Sequence, residues 1–194
     1  MHFRAQLLTG LAAVLLNTAA LAEAVTINGV RVEDNATVAG VKLPLHGAGT
    51  RYKGPFKIFV GDMYVSKKVR SLDEFIAAPG PKRLSMTFVR EVESGPLGKM
   101  LVRSVEDNIT KSDMPRLVPG LVRMGGIFTG FKSMAPGDVV TFDWIPGTGM
   151  VLTLKGTVLG EPFPELEFFK AMASAWLGPT PADYKFKDAL LGIE

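Results

Sequence analysis

The spacing of apolar residues changes along this chain of 194 residues, and that change restricts the fold more than any other feature. Apolar positions alternate near both ends and recur about every 3.6 residues in the middle, which indicates strands and helices respectively. Strands are predicted at 25–27, 30–32, 41–45, 56–65, 82–89, 139–145 and 150–159. Helices are predicted at 73–77, at 97–112, from beyond 113, and at 165–177. A last helix is predicted with Thr180 as its cap and Pro181 as its first residue, and Gly192 ends it. Because the helices are grouped, we expect an α+β fold with a largely antiparallel sheet.

The first 22 residues have the composition of a secretory signal peptide. Arg4 precedes an apolar run at 7–21, which ends in the small-x-small pattern Ala20-Leu21-Ala22. Polar residues interrupt the run, which is shorter than the roughly 20 apolar residues of a membrane-spanning helix. We therefore expect cleavage after Ala22, a periplasmic or secreted product without stable membrane insertion, and a single domain at 23–194. An uncleaved membrane anchor is the alternative.

Composition excludes several kinds of chemistry. The chain has no cysteine, and His46 is the only histidine after the predicted cleavage site. Cysteine nucleophiles, disulfides and histidine-rich zinc sites therefore cannot form. Gly47-Ala48-Gly49 lacks the third glycine of a dinucleotide-binding fingerprint, because Tyr52 stands in its place. We predict no cofactor and no metal. Basic residues are interleaved with acidic ones, so we also expect no binding to nucleic acid.

Three blocks of sequence carry a family resemblance. Residues 47–53 (Gly-Ala-Gly-Thr-Arg-Tyr-Lys) run into an apolar strand at 57–65, and the blocks at 143–149 and 175–181 follow in order. Together they resemble the chalcone isomerase superfamily, and in particular its exported bacterial members. The resemblance covers nearly all of the chain after the predicted signal peptide. It implies an open-faced β-sandwich, in which helices cover one face of a large sheet and a ligand cleft lies between them.

Arg51 is the leading candidate for a site residue. A guanidinium beside an apolar cleft can hold a carboxylate or phenolate through paired, charge-assisted hydrogen bonds. In the superfamily, the matching arginine helps to bind the anionic substrate of the isomerases and holds the carboxylate in the fatty-acid-binding relatives. The residues alone also allow an internal salt bridge to an acid such as Asp62 or Glu106.

The resemblance implies three further ligand-binding positions, two of which depart from the isomerase pattern. Phe59 stands where the isomerases carry threonine and the fatty-acid binders carry tyrosine. Leu101, by an ungapped count, stands where the isomerases use tyrosine. Asn108 matches an asparagine of their site helix, although it could equally be a hydrogen-bonded structural amide. An arginine and an amide can bind an anion, but without the two hydroxyl donors they cannot polarise a ketone. We therefore predict no catalytic residue.

These observations favour a non-catalytic periplasmic binding protein for a fatty acid or a similar small amphipathic anion. A chalcone isomerase-type intramolecular lyase acting on a conjugated phenolic ketone is the first alternative. The second is an accessory protein whose cleft is filled by its own side chains and whose protein partner is unknown. Several apolar residues at helical spacing could line an acyl-chain cavity or simply form the core. They are Phe128, Phe131, Phe168, Phe169, Met172 and Trp176.

Overall fold

The computed structural model describes residues 24–193, so the predicted signal peptide lies outside the described residues. The strands are β1 (Val25–Ile27), β2 (Val30–Val32), β3 (Asn35–Val38), β4 (Val41–Lys53), β5 (Phe56–Val65), β6 (Lys82–Phe88), β7 (Val92–Glu93), β8 (Ser133–Met134), β9 (Val139–Ile145), β10 (Gly149–Leu154) and β11 (Thr157–Val158). The helices are α1 (Leu72–Ala77), α2 (Ser94–Glu106), α3 (Met114–Thr129), α4 (Leu166–Leu177) and α5 (Tyr184–Leu191).

Seven strands form one large sheet in the order β11-β10-β9-β6-β5-β4-β3, and every neighbouring pair is antiparallel. The hairpin β1–β2 turns at Asn28-Gly29, where both residues have the positive φ that such a turn requires. Strands β7 and β8 form a small separate pair. The predicted α+β fold with a mainly antiparallel sheet and packed helices is therefore confirmed.

Alternation along β5 separates the two faces of the sheet. Phe59 and Met63 are fully buried in the main core, which also contains the buried sides of the helices. Asp62 and Tyr64 point to the other face, where Tyr64 joins a smaller apolar cluster with Val38. The face carrying Phe59 is thus the one on which a helix-covered cleft can form.

Glycines in β4 allow α5 to pack directly on that strand. A Cβ atom at Gly47 would collide with the backbone carbonyl oxygens of Ala189 and Leu190, and one at Gly49 would lie 2.6 Å from the Cβ atom of Ala189. On the neighbouring strand, a Cβ atom at Gly61 would collide with the ring of Phe186, which belongs to α5. The glycines of the family motif therefore have a packing role, because they bring α5 onto the sheet.

Two predicted strands have different bounds in the structure. Strand β4 continues to Lys53, whereas alternation predicted an end at residue 45. Its glycine-rich half has weak intrinsic strand preference, but pairing with β5 supplies backbone partners for it. The segment predicted at 150–159 is divided into β10 and β11 by a turn at Lys155-Gly156, where both residues have positive φ.

Two predicted helices also need correction. Helix α2 ends at Glu106, so Asn108 lies beyond it rather than on its apolar stripe. Helix α5 begins at Tyr184, and Thr180 is not its cap. Asp183 caps this helix instead, because its side chain accepts a hydrogen bond from the backbone N–H of Phe186.

Lys82, at the start of β6, is a buried lysine with 2% of its surface exposed. Its Nζ donates to the carbonyl oxygens of Ile76 at 3.2 Å and Ala78 at 2.8 Å, at the end of α1. Burial lowers the pKa of Lys82 from 10.5 to about 8, because the charged ammonium loses its hydration.

The free energy of unfolding of the wild type, relative to Lys82→Met, is expected to rise as the pH increases from 8 to 10.5. In this window the unfolded lysine is still protonated and the folded one is neutral, so the unfolded state binds more protons and a higher pH favours folding. The gain is at most about 3 kcal/mol, at about 1.4 kcal/mol per pH unit. Urea melts across this range measure it, with the exposed Lys132→Met as control. A difference that does not vary with pH would contradict the prediction.

Candidate functional site

A cavity of about 590 Å³ lies between the tip of the β4–β5 hairpin and the first half of α2. Three cationic residues line it, namely Arg51, Lys53 and Arg90, together with the acidic Glu91. Its apolar wall consists of Phe56, Ile58, Phe59, Val92, Leu97 and Met100. Among the described residues, those that line this cavity include no hydroxyl and no imidazole group. An apolar wall with an excess of cations suits an amphipathic anion.

Arg51 is held at this cavity by the pairing of β4 with β5, in which it stands opposite Phe59. The residue is 9% exposed, and its Nη1 lies 3.6 Å from Oδ2 of Asp183. Its buried Nε has no hydrogen-bond partner within residues 24–193. Burial lowers the pKa of Arg51, and the charge of Asp183 partly offsets this effect. An arginine stays protonated nevertheless, so the site contains a desolvated cation with unused donor capacity.

The salt-bridge partners predicted for Arg51 are wrong, because Asp183 takes that position. Asp62 lies on the opposite face of the sheet, where it accepts a hydrogen bond from Ser85. Burial raises the pKa of Asp62, while the Ser85 hydrogen bond and the nearby Arg83 act in the lowering direction. Glu106 lines a different cavity.

Phe59 forms part of the floor of the cavity and is fully buried. Its ring makes edge-to-face contacts with Phe88 at 5.8 Å and with Phe186 of α5 at 5.5 Å between centroids. The position where the resemblance places a hydroxyl in related proteins is therefore occupied by an aromatic cluster. Phe59 can contact an apolar chain but cannot donate a hydrogen bond.

Leu101 and Asn108 do not lie with Arg51. Leu101 is buried in the core, and the cavity is lined instead by Leu97 and Met100 of the same helix. The Asn108 Nδ2 donates to the carbonyl oxygens of Ser104 at 2.7 Å and Thr180 at 2.8 Å, and its Oδ1 accepts from the Thr180 backbone N–H at 2.8 Å. Asn108 thus joins the end of α2 to the loop before α5. Of the four predicted ligand-binding residues, the structure brings together Arg51 and Phe59.

Arg90 is a site residue that the sequence reasoning missed. It follows β6 closely in sequence, and β6 pairs with β5 so that Phe88 stands opposite Phe59. Its guanidinium lies 4.6 Å from the centroid of the Phe56 ring, in a cation–π contact at the cavity. Arg90 reaches the cavity because β6 pairs with β5. The alternation of apolar residues predicts the two strands but not that they are neighbours in the sheet.

His46 has a structural role. Its Nδ1 lies 3.0 Å from the carbonyl oxygen of Leu190, and its Nε2 lies 2.9 Å from the backbone N–H of Val69. The neutral tautomer with hydrogen on Nδ1 satisfies both contacts, since Nε2 must then be the acceptor. His46 therefore ties the end of α5 to the loop after β5.

The predicted aromatic set belongs mainly to the core. Phe168, Phe169, Met172 and Trp176 are buried residues of α4, and none of the six lines the Arg51 cavity. Phe128 lines a second cavity, of about 730 Å³, between α2 and α3. That cavity mixes Lys99 and Arg103 with acidic residues, and so it lacks the cationic excess of the first.

Residues 24–193 contain no group of three side chains that could hold a metal ion. Within the same residues, no helix is long and apolar enough to cross a membrane.

The fold and the cavity define a class of proteins in which helices cover one face of a large antiparallel sheet. Residues 24–192 match the family model described as chalcone isomerase-like, and the chain belongs to this family. Among solved structures, a fatty-acid binding protein of Arabidopsis thaliana superposes with a TM-score of 0.67 at 13% identity. The match covers 87% of this chain and 96% of the Arabidopsis protein. A comparison with curated protein sequences finds no match.

Proposed function

We propose that this protein binds a fatty acid or a similar amphipathic carboxylate without chemical turnover, and that it does so in the periplasm after export. The observation that carries the proposal is the cavity in which a desolvated Arg51 adjoins an apolar wall, while its Nε has no hydrogen-bond partner among the described residues. Its volume of about 590 Å³ lies within the range of roughly 300–1,000 Å³ that is usual for small-molecule sites. The fatty-acid-binding function of the Arabidopsis relative supports the same class of ligand.

The direct test is a calorimetric titration of residues 23–194 with dodecanoate. We expect saturable binding of one dodecanoate per chain, and weaker binding of dodecanol, which has the same chain without the charge. Equal affinity for dodecanoate and dodecanol would contradict a cationic anchor. Mass spectrometry of lipids that co-purify with the protein then identifies the natural ligand.

We expect no appreciable acceleration of chalcone cyclisation. An isomerase must stabilise the developing enolate with hydrogen-bond donors, and loss of one such donor costs about a hundredfold or more in rate. Phe59 supplies no hydroxyl, and among the described residues the side chains that line the cavity include no other hydroxyl donor. The measurement is the spectrophotometric loss of chalcone with purified protein, compared with a denatured sample. Turnover to a product of one handedness would favour the lyase alternative instead.

We expect the exported protein to begin at Glu23. The basic start, the short apolar run and Ala20-Leu21-Ala22 motivate this expectation. Sequencing the N-terminus of the protein recovered from a periplasmic extract gives the answer, and Ala22→Arg, which places a large residue at the cleavage position, should block processing. A periplasmic product that retains Met1 would support the anchor alternative.

A further inference from the structure

The carboxylate of Asp183 is surrounded by donors from two separate elements. Its Oδ1 accepts from the Phe186 backbone N–H at 3.2 Å in the first turn of α5, and its Oδ2 accepts from the Tyr52 backbone N–H at 3.1 Å in β4. The same Oδ2 lies 3.6 Å from Nη1 of Arg51. A guanidinium and two backbone N–H groups are the donors that proteins use to bind the carboxylate of a ligand.

Asp183 uses only a small part of the capacity of Arg51. The separation of 3.6 Å exceeds the 2.7–3.2 Å of a normal N–H···O hydrogen bond, and Nε has no partner within residues 24–193. Asp183 itself is held firmly without Arg51, because both of its oxygens accept backbone hydrogen bonds. The aspartate can therefore stay in place while the guanidinium bonds to another carboxylate.

We propose that Asp183 is a built-in competitor at the binding site, which neutralises Arg51 in the empty protein and which the carboxylate of an amphipathic ligand displaces from it. The inference rests on the proposed function and concerns the same site. When the ligand binds, Asp183 keeps its bonds to Tyr52 and Phe186 and remains close to the ligand head group. Two carboxylates beside one guanidinium repel each other, so Asp183 weakens binding and favours release.

The first test is a titration of wild type, Asp183→Asn and Asp188→Asn with dodecanoate. Asparagine keeps the length of the side chain and one acceptor oxygen, but it removes the charge. Asp188 is an exposed acid on the same helix. Its replacement removes one negative charge, as Asp183→Asn does, but at a position that does not contact Arg51. We expect Asp183→Asn to bind dodecanoate about tenfold more tightly than wild type, and Asp188→Asn to bind as wild type does. Binding of uncharged dodecanol should be the same in all three proteins.

These titrations separate the failure of the inference from the failure of the proposed function. If wild type binds dodecanoate and Asp183→Asn binds it no more tightly, the proposed function stands and the role of Asp183 is overturned. The same holds if dodecanol affinity rises as much as dodecanoate affinity, because the effect would then not be one of charge. If none of the three proteins binds dodecanoate, both proposals fall.

A second test needs no fatty acid. Asp183→Ala removes the carboxylate and leaves the three donors free, so its melting temperature should fall by several degrees. Acetate should then restore much of the loss, whereas chloride at the same ionic strength should not. Acetate should raise the melting temperature of the double variant Arg51→Ala/Asp183→Ala clearly less than that of Asp183→Ala. Equal effects of acetate and chloride would show that these donors do not form an anion site, and would overturn the inference.

Discussion

Gly47→Ala is expected to destabilise the fold by about 3 kcal/mol, the upper part of the range for overpacked cores. The added methyl group would collide with backbone carbonyl oxygens of Ala189 and Leu190, which cannot rotate away as a side chain can. Helix α5 must then move off β4, and the contacts of Phe186 with Phe59 weaken with it. Urea denaturation followed by circular dichroism measures the loss.

The control for this substitution is Gly126→Ala in α3, where an added Cβ atom meets nothing within 4 Å. There the alanine should leave stability unchanged or raise it by up to about 1 kcal/mol, because alanine is the better helix former. If Gly47→Ala were as stable as Gly126→Ala, the packing of α5 on β4 would have to differ from the one described.

Arg51→Ala is expected to weaken dodecanoate binding by roughly 1.5–3 kcal/mol, the worth of hydrogen bonds to a charged group. Arg51→Lys should recover only part of the affinity that Arg51→Ala loses, because an ammonium retains the charge but not the planar pair of donors. The fold should remain intact in both variants, since Asp183 keeps two backbone donors when Arg51 is lost. Titration calorimetry gives the affinities, and thermal melts check the fold.

Arg103→Ala is the matched control, because this exposed arginine lines the cavity between α2 and α3. Its affinity for dodecanoate should equal that of the wild type. If Arg103→Ala lost affinity for dodecanoate and Arg51→Ala did not, the ligand would lie in the cavity between α2 and α3. Unchanged affinity in Arg51→Ala together with a lower melting temperature would make Arg51 a structural partner of Asp183 only.

Much of the fold follows from local pattern, and the exceptions have a common physical origin. The hairpin at Asn28-Gly29 and helix α4 agree with the predictions within a residue, because turn chemistry and an apolar stripe determine them locally. The second half of β4 was missed because its glycines favour no structure by themselves. They become a strand only through pairing with β5 and contact with α5, and both are distant in sequence.

The site was predictable to the extent that a motif marks it. Arg51 and Phe59 were found because both lie in the block that resembles the family, and the structure places them opposite each other. Asn108 was assigned from the resemblance, and Leu101 by an ungapped count back from it along one helix. The continuous helix that this count assumed ends at Glu106, before Asn108. Arg90 and Asp183 reach the site from other parts of the chain, so only the tertiary fold reveals them.

The packing of α5 on β4 also affects when the protein can fold. His46 and Leu190 are 144 positions apart in the sequence, and Tyr52 and Asp183 are 131 apart. Contacts of such long sequence separation form late, because closing a large loop costs conformational entropy before the contact can stabilise the chain. Helix α5 cannot pack on β4, the strand that carries Arg51, until the last part of the chain has been synthesised. The packing of α5 on β4 is therefore expected to be one of the last steps of folding.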